Sequence, residues 1–198
     1  MMPLFILSQE LTYVPDDNFE TYLETYFPAC DNGIDNDDYV LTSGLYGGGE
    51  NPYECINLTP QTLDAPIFDL TGIEDFQGGI KGMRIEQQLI QNLNLAMFKF
   101  MPGSTAGCNY VLYGTSDLFI SQCTLLEEIL LPSDTIALSI SGCPLLDNVY
   151  FPEDISLYSV AITGVNMCEL KIRGQGLIYS QAYPFIISLG GIGLSATN

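Results

Sequence analysis

No histidine occurs anywhere in the 198 residues, and only five side chains carry a positive charge. Without histidine there can be no Ser-His or Cys-His nucleophile pair and no histidine-ligated metal. The bases are Lys81, Arg84, Lys99, Lys171 and Arg173, against 24 acids, for a net charge of −19. Residues 1–80 hold 15 of those acids and no base. Such a chain repels nucleic acid and anionic lipid, which both need Lys and Arg to displace counterions. Long apolar runs are also lacking. The start (MMPLFILSQ) and the stretch Phe185 to Leu194 are each too short to cross a bilayer, so no membrane span is expected. No G-x-S-x-G and no phosphate-cradling glycine motif is present.

What is there is apolar and repetitive. The chain is 47% hydrophobic and 15% charged, enough for one domain with a substantial core. Residues 118–131 and 138–151 align at a shift of 20. Leu118 matches Leu138, Ile120 matches Ile140, Cys123 matches Cys143, and Ile129 matches Val149. A short, fixed shift means one supersecondary unit stacked on its copy. Two extended pieces recur in each unit. The first are Met83-x-Ile85, Phe98-x-Phe100, Leu118-x-Ile120, Leu138-x-Ile140 and Val160-x-Ile162. The second are Leu93-x-Leu95, Tyr110-x-Leu112, Ile129-x-Leu131, Val149-x-Phe151 and Leu170-x-Ile172. Alternate side chains of each piece point inward. Upstream, residues 16–27 read as a helix, with Asp17 as cap, Glu20 closing a capping box, and Phe19, Leu23 and Tyr26 on one face.

The pattern L-x-I-x-x-C-x-L at 118–125 and 138–145 resembles the leucine-rich repeat core. The segments TYVPDDNFETYL (12–23), DDYVLT (37–42) and FDLTGIEDF (68–76) resemble the cap of secreted leucine-rich repeat proteins of the Bacteroidetes type. The fold expected is therefore a mainly β solenoid, an irregular right-handed leucine-rich repeat coil with a short N-terminal helical cap. Its parts would be a cap over 1–66 with an acidic loop at 29–60, repeats over 67–182, and a C-terminal edge segment at 183–198. At the sixth repeat position an inward Asn or Cys satisfies corner backbone. Gln88 and Val165 depart from that pattern, which implies weaker corners there. The resemblance implies an extracellular or cell-surface binding protein.

Candidate sites follow from these readings. The middle residues of the first pieces make an exposed stripe for a protein or glycan: Arg84, Lys99, Phe119 and Ser139, extended by Ser121. A second stripe holds Asn94, Val111, Leu130, Tyr150 and Lys171. Asp31, Asp35, Asp37 and Asp38 sit in a loop with Asn32, Gly33 and Asn36, and such oxygens can wrap calcium. The same composition makes a solvated turn. Cys30 and Cys55 flank that region and are the disulfide candidates of an exported chain, whereas Cys123 and Cys143 should stack as buried thiols.

Three functions are open. The first is a non-catalytic leucine-rich repeat protein binding protein or glycan outside the cell. The second is an assembly subunit of a surface layer or virion, self-associating through the apolar, Gly-rich C-terminal edge. The third is a carboxylate-dependent polysaccharide enzyme, for which Glu127, Asp147 and Glu169 align before the second pieces.

Overall fold

The computed structural model describes residues 10–46, 55–75, 77–100, 116–133, 136–152, 157–165, 169–170, 187–189 and 193–194. In chain order the strands are β1 (Leu11–Tyr13), β2 (Tyr39–Leu41), β3 (Cys55–Leu58), β4 (Gln77–Ile80), β5 (Gly82–Glu86), β6 (Asn92–Asn94), β7 (Lys99–Phe100) and β8 (Ser116–Ser121). They continue as β9 (Glu128–Leu130), β10 (Ile136–Ser141), β11 (Asn148–Tyr150), β12 (Leu157–Thr163), β13 (Glu169–Leu170), β14 (Ile187–Leu189) and β15 (Gly193–Leu194). Among the described residues one α-helix, α1 (Asp17–Tyr26), lies between β1 and β2.

Six strands form the main sheet in the order β14-β12-β10-β8-β5-β3, and every pairing within it is parallel. A second parallel sheet has the order β11-β9-β6, while β1 and β2 pair antiparallel. Two further parallel pairs are β4-β7 and β13-β15.

This set of sheets with a helix corrects the expected mainly β solenoid. Parallel six- and three-stranded sheets, an antiparallel pair and a helix make an α/β arrangement. The physical reason lies in the core. Phe19 and Leu23 of α1 are fully buried in one continuous cluster that also holds Ile56, Met83, Leu118, Ile140 and Ile162. The helix is thus part of the core the strands share.

Within the sheets, the internal repeat sets the register. Leu118 pairs with Leu138 and Ile120 with Ile140, as the shift of 20 requires. The second pieces also pair, Leu93 with Ile129 and Ile129 with Val149. Elsewhere the spacing differs from expectation. Met83 pairs directly with Leu118, so Phe98-x-Phe100 is not a strand of the main sheet. Its residues Lys99 and Phe100 pair instead with Gln77 and Ile80. The main sheet also gains β3 from a stretch read as loop, and β14 from the segment read as a C-terminal edge. Tyr110-x-Leu112 lies outside the described residues.

The cap of α1 is Asp16, one residue earlier than expected. Its Oδ1 accepts from the backbone N–H of Asn18 and Phe19 at 3.0 and 3.1 Å. Its Oδ2 accepts from Phe68 and Asp69 at 2.7 and 3.1 Å, tying the helix start to the chain before β4. Tyr26, expected on the buried face, is 44% exposed, and Tyr22 takes that place. After Tyr26 the helix stops, at Phe27 ahead of Pro28, which cannot continue it.

Candidate functional site

Register places the row of the main sheet that faces away from the core, in which Arg84 is exposed and its neighbours are half-buried. Asn57, Arg84, Phe119, Ser139 and Ala161 are successive neighbours on β3, β5, β8, β10 and β12. Strands alternate their side chains, so the flanking Met83, Ile85, Leu118, Ile120, Leu138 and Ile140 are buried. Two residues along, Glu86, Ser121, Ser141 and Thr163 form a second row on the same face. Arg84 reaches Glu86 with Nη2 to Oε2 at 2.6 Å, and 44% of the arginine side chain is exposed. An open recess of about 340 Å³ is lined by Arg84, Phe119, Ser121, Ser139 and Ser141, with Ile120 at its floor.

Four of the five expected stripe residues are therefore gathered: Arg84, Phe119, Ser121 and Ser139. Lys99 is the exception, because β7 belongs to another sheet. Asn94, Leu130 and Tyr150 of the second stripe also stand in register, and Tyr150 is half exposed, whereas Val111 and Lys171 lie outside the described residues.

At the end of both rows the chain turns through a column of left-handed residues. Gln87, Gln122, Gly142 and Gly164 have φ of 57°, 55°, 64° and 62°. Gln87 Nε2 donates to Gln122 Oε1 at 2.7 Å, and backbone N–H groups link the column to the next turn, Gln122 to Ser141 and Gly142 to Thr163. The next position inward carries Gln88, Cys123 and Cys143, all buried. Gln88 Oε1 accepts from Ile67 N at 2.7 Å and its Nε2 donates to Glu86 O at 2.7 Å. The expected weakness at this corner is thus made good by a longer side chain doing the same job. The thiols of Cys123 and Cys143 point to the carbonyls of Ser121 and Ser141, both at 3.5 Å. The hydrogen bond with its neighbour Cys143, then burial, pushes Cys123 well above the usual thiol range.

The acidic loop is organised mainly by its own bonds. Asp31 Oδ1 accepts from Gly33 N at 2.6 Å, and Asp37 Oδ1 accepts from Tyr39 N and from Asn32 Nδ2, both at 3.1 Å. The four predicted aspartates are not brought to one point. The tightest acidic group among the described residues is Asp17, Glu20 and Asp38, with one oxygen from each within 4.8 Å of the others. Of the predicted set only Asp38 belongs to it. Sequence reasoning missed Glu20 because the capping-box reading aimed its carboxylate at the helix start. Glu20 is instead fully buried and accepts from the N–H of Asp37 and Asp38, both at 3.2 Å. Burial pushes its carboxyl up, and those two bonds oppose the shift. One turn on, Glu24 is raised to about 7, by burial first and then by Glu20, Asp31, Asp35 and Asp37. Its Oε1 is buried without a hydrogen-bond partner.

The expected Cys30–Cys55 disulfide does not form. Cys30 is a free, fully buried thiol, raised to about 12 by burial and by Glu24, whereas Cys55 is disulfide-bonded elsewhere. Burial against Phe27 and the turn Phe27–Cys30, closed by a 2.7 Å backbone bond, keeps Cys30 inside. Glu127 and Asp147 do come together, linked by Asp147 N to Glu127 O at 3.1 Å beside an open recess of about 310 Å³. Glu169 stands on β13, which pairs with β15 rather than with β11. Among the described residues no helix is long and apolar enough to cross a membrane. Comparison with family models, with curated proteins and with solved structures finds no match for the chain.

Proposed function

We propose that this is a non-catalytic binding protein whose open sheet face holds a protein or glycan at the cell surface or outside the cell. The observation that carries the reading is the register row Arg84–Phe119–Ser139 on a wholly parallel sheet. Sheets of that kind are usually covered on both faces. Here one face is core and the other presents an exposed arginine, a half-buried phenylalanine and serines. The absence of histidine and the shallow recesses favour binding over catalysis. The disulfide at Cys55 favours an oxidising compartment, as does the cap's resemblance to secreted proteins.

The test is capture from an extracellular extract and on a glycan array, with wild type beside Phe119→Ala, Arg84→Glu and Lys99→Glu. Wild type and Lys99→Glu retain the same partner, and the two face variants lose it. Equal binding by all four removes the face from the reading.

A second, narrower reading is calcium at Asp17, Glu20 and Asp38, whose oxygens already converge. Calcium should then raise the melting temperature of wild type but not of Asp38→Asn, and chelator should reverse the rise. An equal response of both proteins dismisses it.

A further inference from the structure

We infer that the outward face of the second sheet, β6, β9 and β11, docks a basic segment of a protein, whose Lys or Arg side chains enter the recess beside Glu127 and Asp147. This surface is separate from the row on the main sheet and is argued from its own residues.

Register lays the face out in bands that cross the strands. Leu93, Ile129 and Val149 turn into the core, so their neighbours turn outward. Asn92, Glu128 and Asn148 make one outward band, and Asn94, Leu130 and Tyr150 make the next. Ahead of the strands, Glu127 and Asp147 stand at matching places on neighbouring turns, since the N–H of Asp147 donates to Glu127 O at 3.1 Å. Ahead of them again, Leu125 and Leu145 match at the shift of 20. An acidic band thus lies between two apolar ones. Leu125 is 42% and Leu145 48% exposed, and Tyr150 is half exposed.

The charge here is local. Glu127, Glu128 and Asp147 line one recess together with Leu145, and among the described residues no base lines it. Of the described bases, Lys81 is buried, Arg84 reaches Glu86, and Lys99 stands on β7 of another sheet. Like charges side by side across a sheet destabilise it, so the fold gains nothing from Glu127 beside Asp147. An opposite charge arriving from outside relieves them, and the net −19 of the chain draws such a partner in.

The kind of cation follows from the rest of the face. A single metal ion needs oxygens that converge, and among the described residues the acids that do so are Asp17, Glu20 and Asp38, not these three. Carboxylates spread over neighbouring turns suit separate cationic heads carried on one chain. Lys and Arg bear such heads on aliphatic stems that pack along apolar surface. Leu145 is part of the recess wall, with Leu125 one turn back, so stem and head each meet a partner. Tyr150 adds an aromatic of the kind enriched in protein interfaces, and its ring attracts a guanidinium. A bare cation or small polyamine would use the acids and leave Leu125, Leu145 and Tyr150 unused.

The experiment is isothermal titration of the intact protein with three short peptides of equal length: alternating leucine and lysine, alternating serine and lysine, and alternating leucine and glutamate. The leucine–lysine peptide should bind, more weakly as salt is raised. The serine–lysine peptide should bind about tenfold less tightly or worse, and the leucine–glutamate peptide not at all. Glu127→Gln with Asp147→Asn should weaken the leucine–lysine peptide by about tenfold or more. Leu145→Ser should weaken it several-fold. Glu10→Gln with Asp64→Asn removes the same charge from the cap and should change binding less than about twofold. Four results overturn the inference: the leucine–lysine peptide does not bind; the serine–lysine peptide binds as tightly; the leucine–glutamate peptide binds as tightly; or the cap pair costs as much as the recess pair, which would mean that the field of the whole chain acts and not this face. The recess pair should melt no lower than wild type, because it removes like charges. Should it melt lower, Leu145→Ser alone carries the test, and unchanged binding by that variant overturns the inference.

Discussion

Asp16 makes the most bonds of any single side chain near the helix start. One carboxylate accepts four backbone N–H groups from two separated segments, at 16–19 and 66–69. An ordinary N-cap is worth about 1 kcal/mol. Asp16→Ala also orphans Phe68 N and Asp69 N, so its cost should exceed that, at about 2–4 kcal/mol by urea unfolding. Asp16→Asn keeps one oxygen and aims an amide N–H₂ at donors, so it should recover only part of the loss. Recovery in full would mean that Oδ2 contributes nothing. Glu24 makes the opposite kind of prediction. Its carboxyl is raised to about 7 in the fold, against 4.5 for the free side chain. Between those values the folded chain holds a proton that the unfolded chain releases. Stability from this group is therefore full below about pH 4.5 and is lost as pH rises towards 7. Glu24→Gln should unfold less readily than wild type at pH 8 and match it near pH 4. Parallel curves of Tm against pH for the two proteins would show that neither burial nor the neighbouring acids raise Glu24 in the fold.

At the scale of elements, register is the controlling quantity. Residues 118–131 and 138–151 disclosed two strand pairs in advance because identical residues at a shift of 20 leave one in-register pairing. Phe119, Ser121 and Ser139 were legible for that reason, and Arg84 from the alternation Met83-x-Ile85. Lys99 was not, since Phe98-x-Phe100 has the same alternation as a main-sheet strand. Alternation alone does not tell which sheet a strand joins. The helix was legible from its caps and periodicity, but its place in the shared core was not. Nothing local in Phe19 or Leu23 says which apolar partners they meet. The acidic loop failed differently: Asp and Asn at turn spacing serve their own backbone as readily as a cation. The left-handed column gives the test at this scale. Gly164 has φ of 62°, and a Cβ there would lie 3.0 Å from Gly142 N. Gly164→Ala should cost about 1 kcal/mol or more, measured by denaturant midpoint at unchanged m-value. A neutral effect would mean that the column is free to shift.

Over the whole molecule the dominant fact is the −19 charge, unopposed by any base in the first 80 residues. Self-repulsion of that size works against the compact state. It is densest where α1 meets the acidic loop, since Glu20, Asp31, Asp35 and Asp37 all act on Glu24. Screening should therefore stabilise the fold. Raising NaCl from 10 to 300 mM shortens the Debye length from about 30 Å to below 8 Å, which removes most repulsion between separated carboxylates. The melting temperature should climb steadily over that range, and choline chloride should act as sodium chloride does. The dependence should arise mainly in the N-terminal region, where the acids stand without a base in the sequence around them. A melting temperature that ignores salt would mean that the acids are already compensated by bound cations. Chelation should then lower it sharply, with Asp17, Glu20 and Asp38 the first place to look.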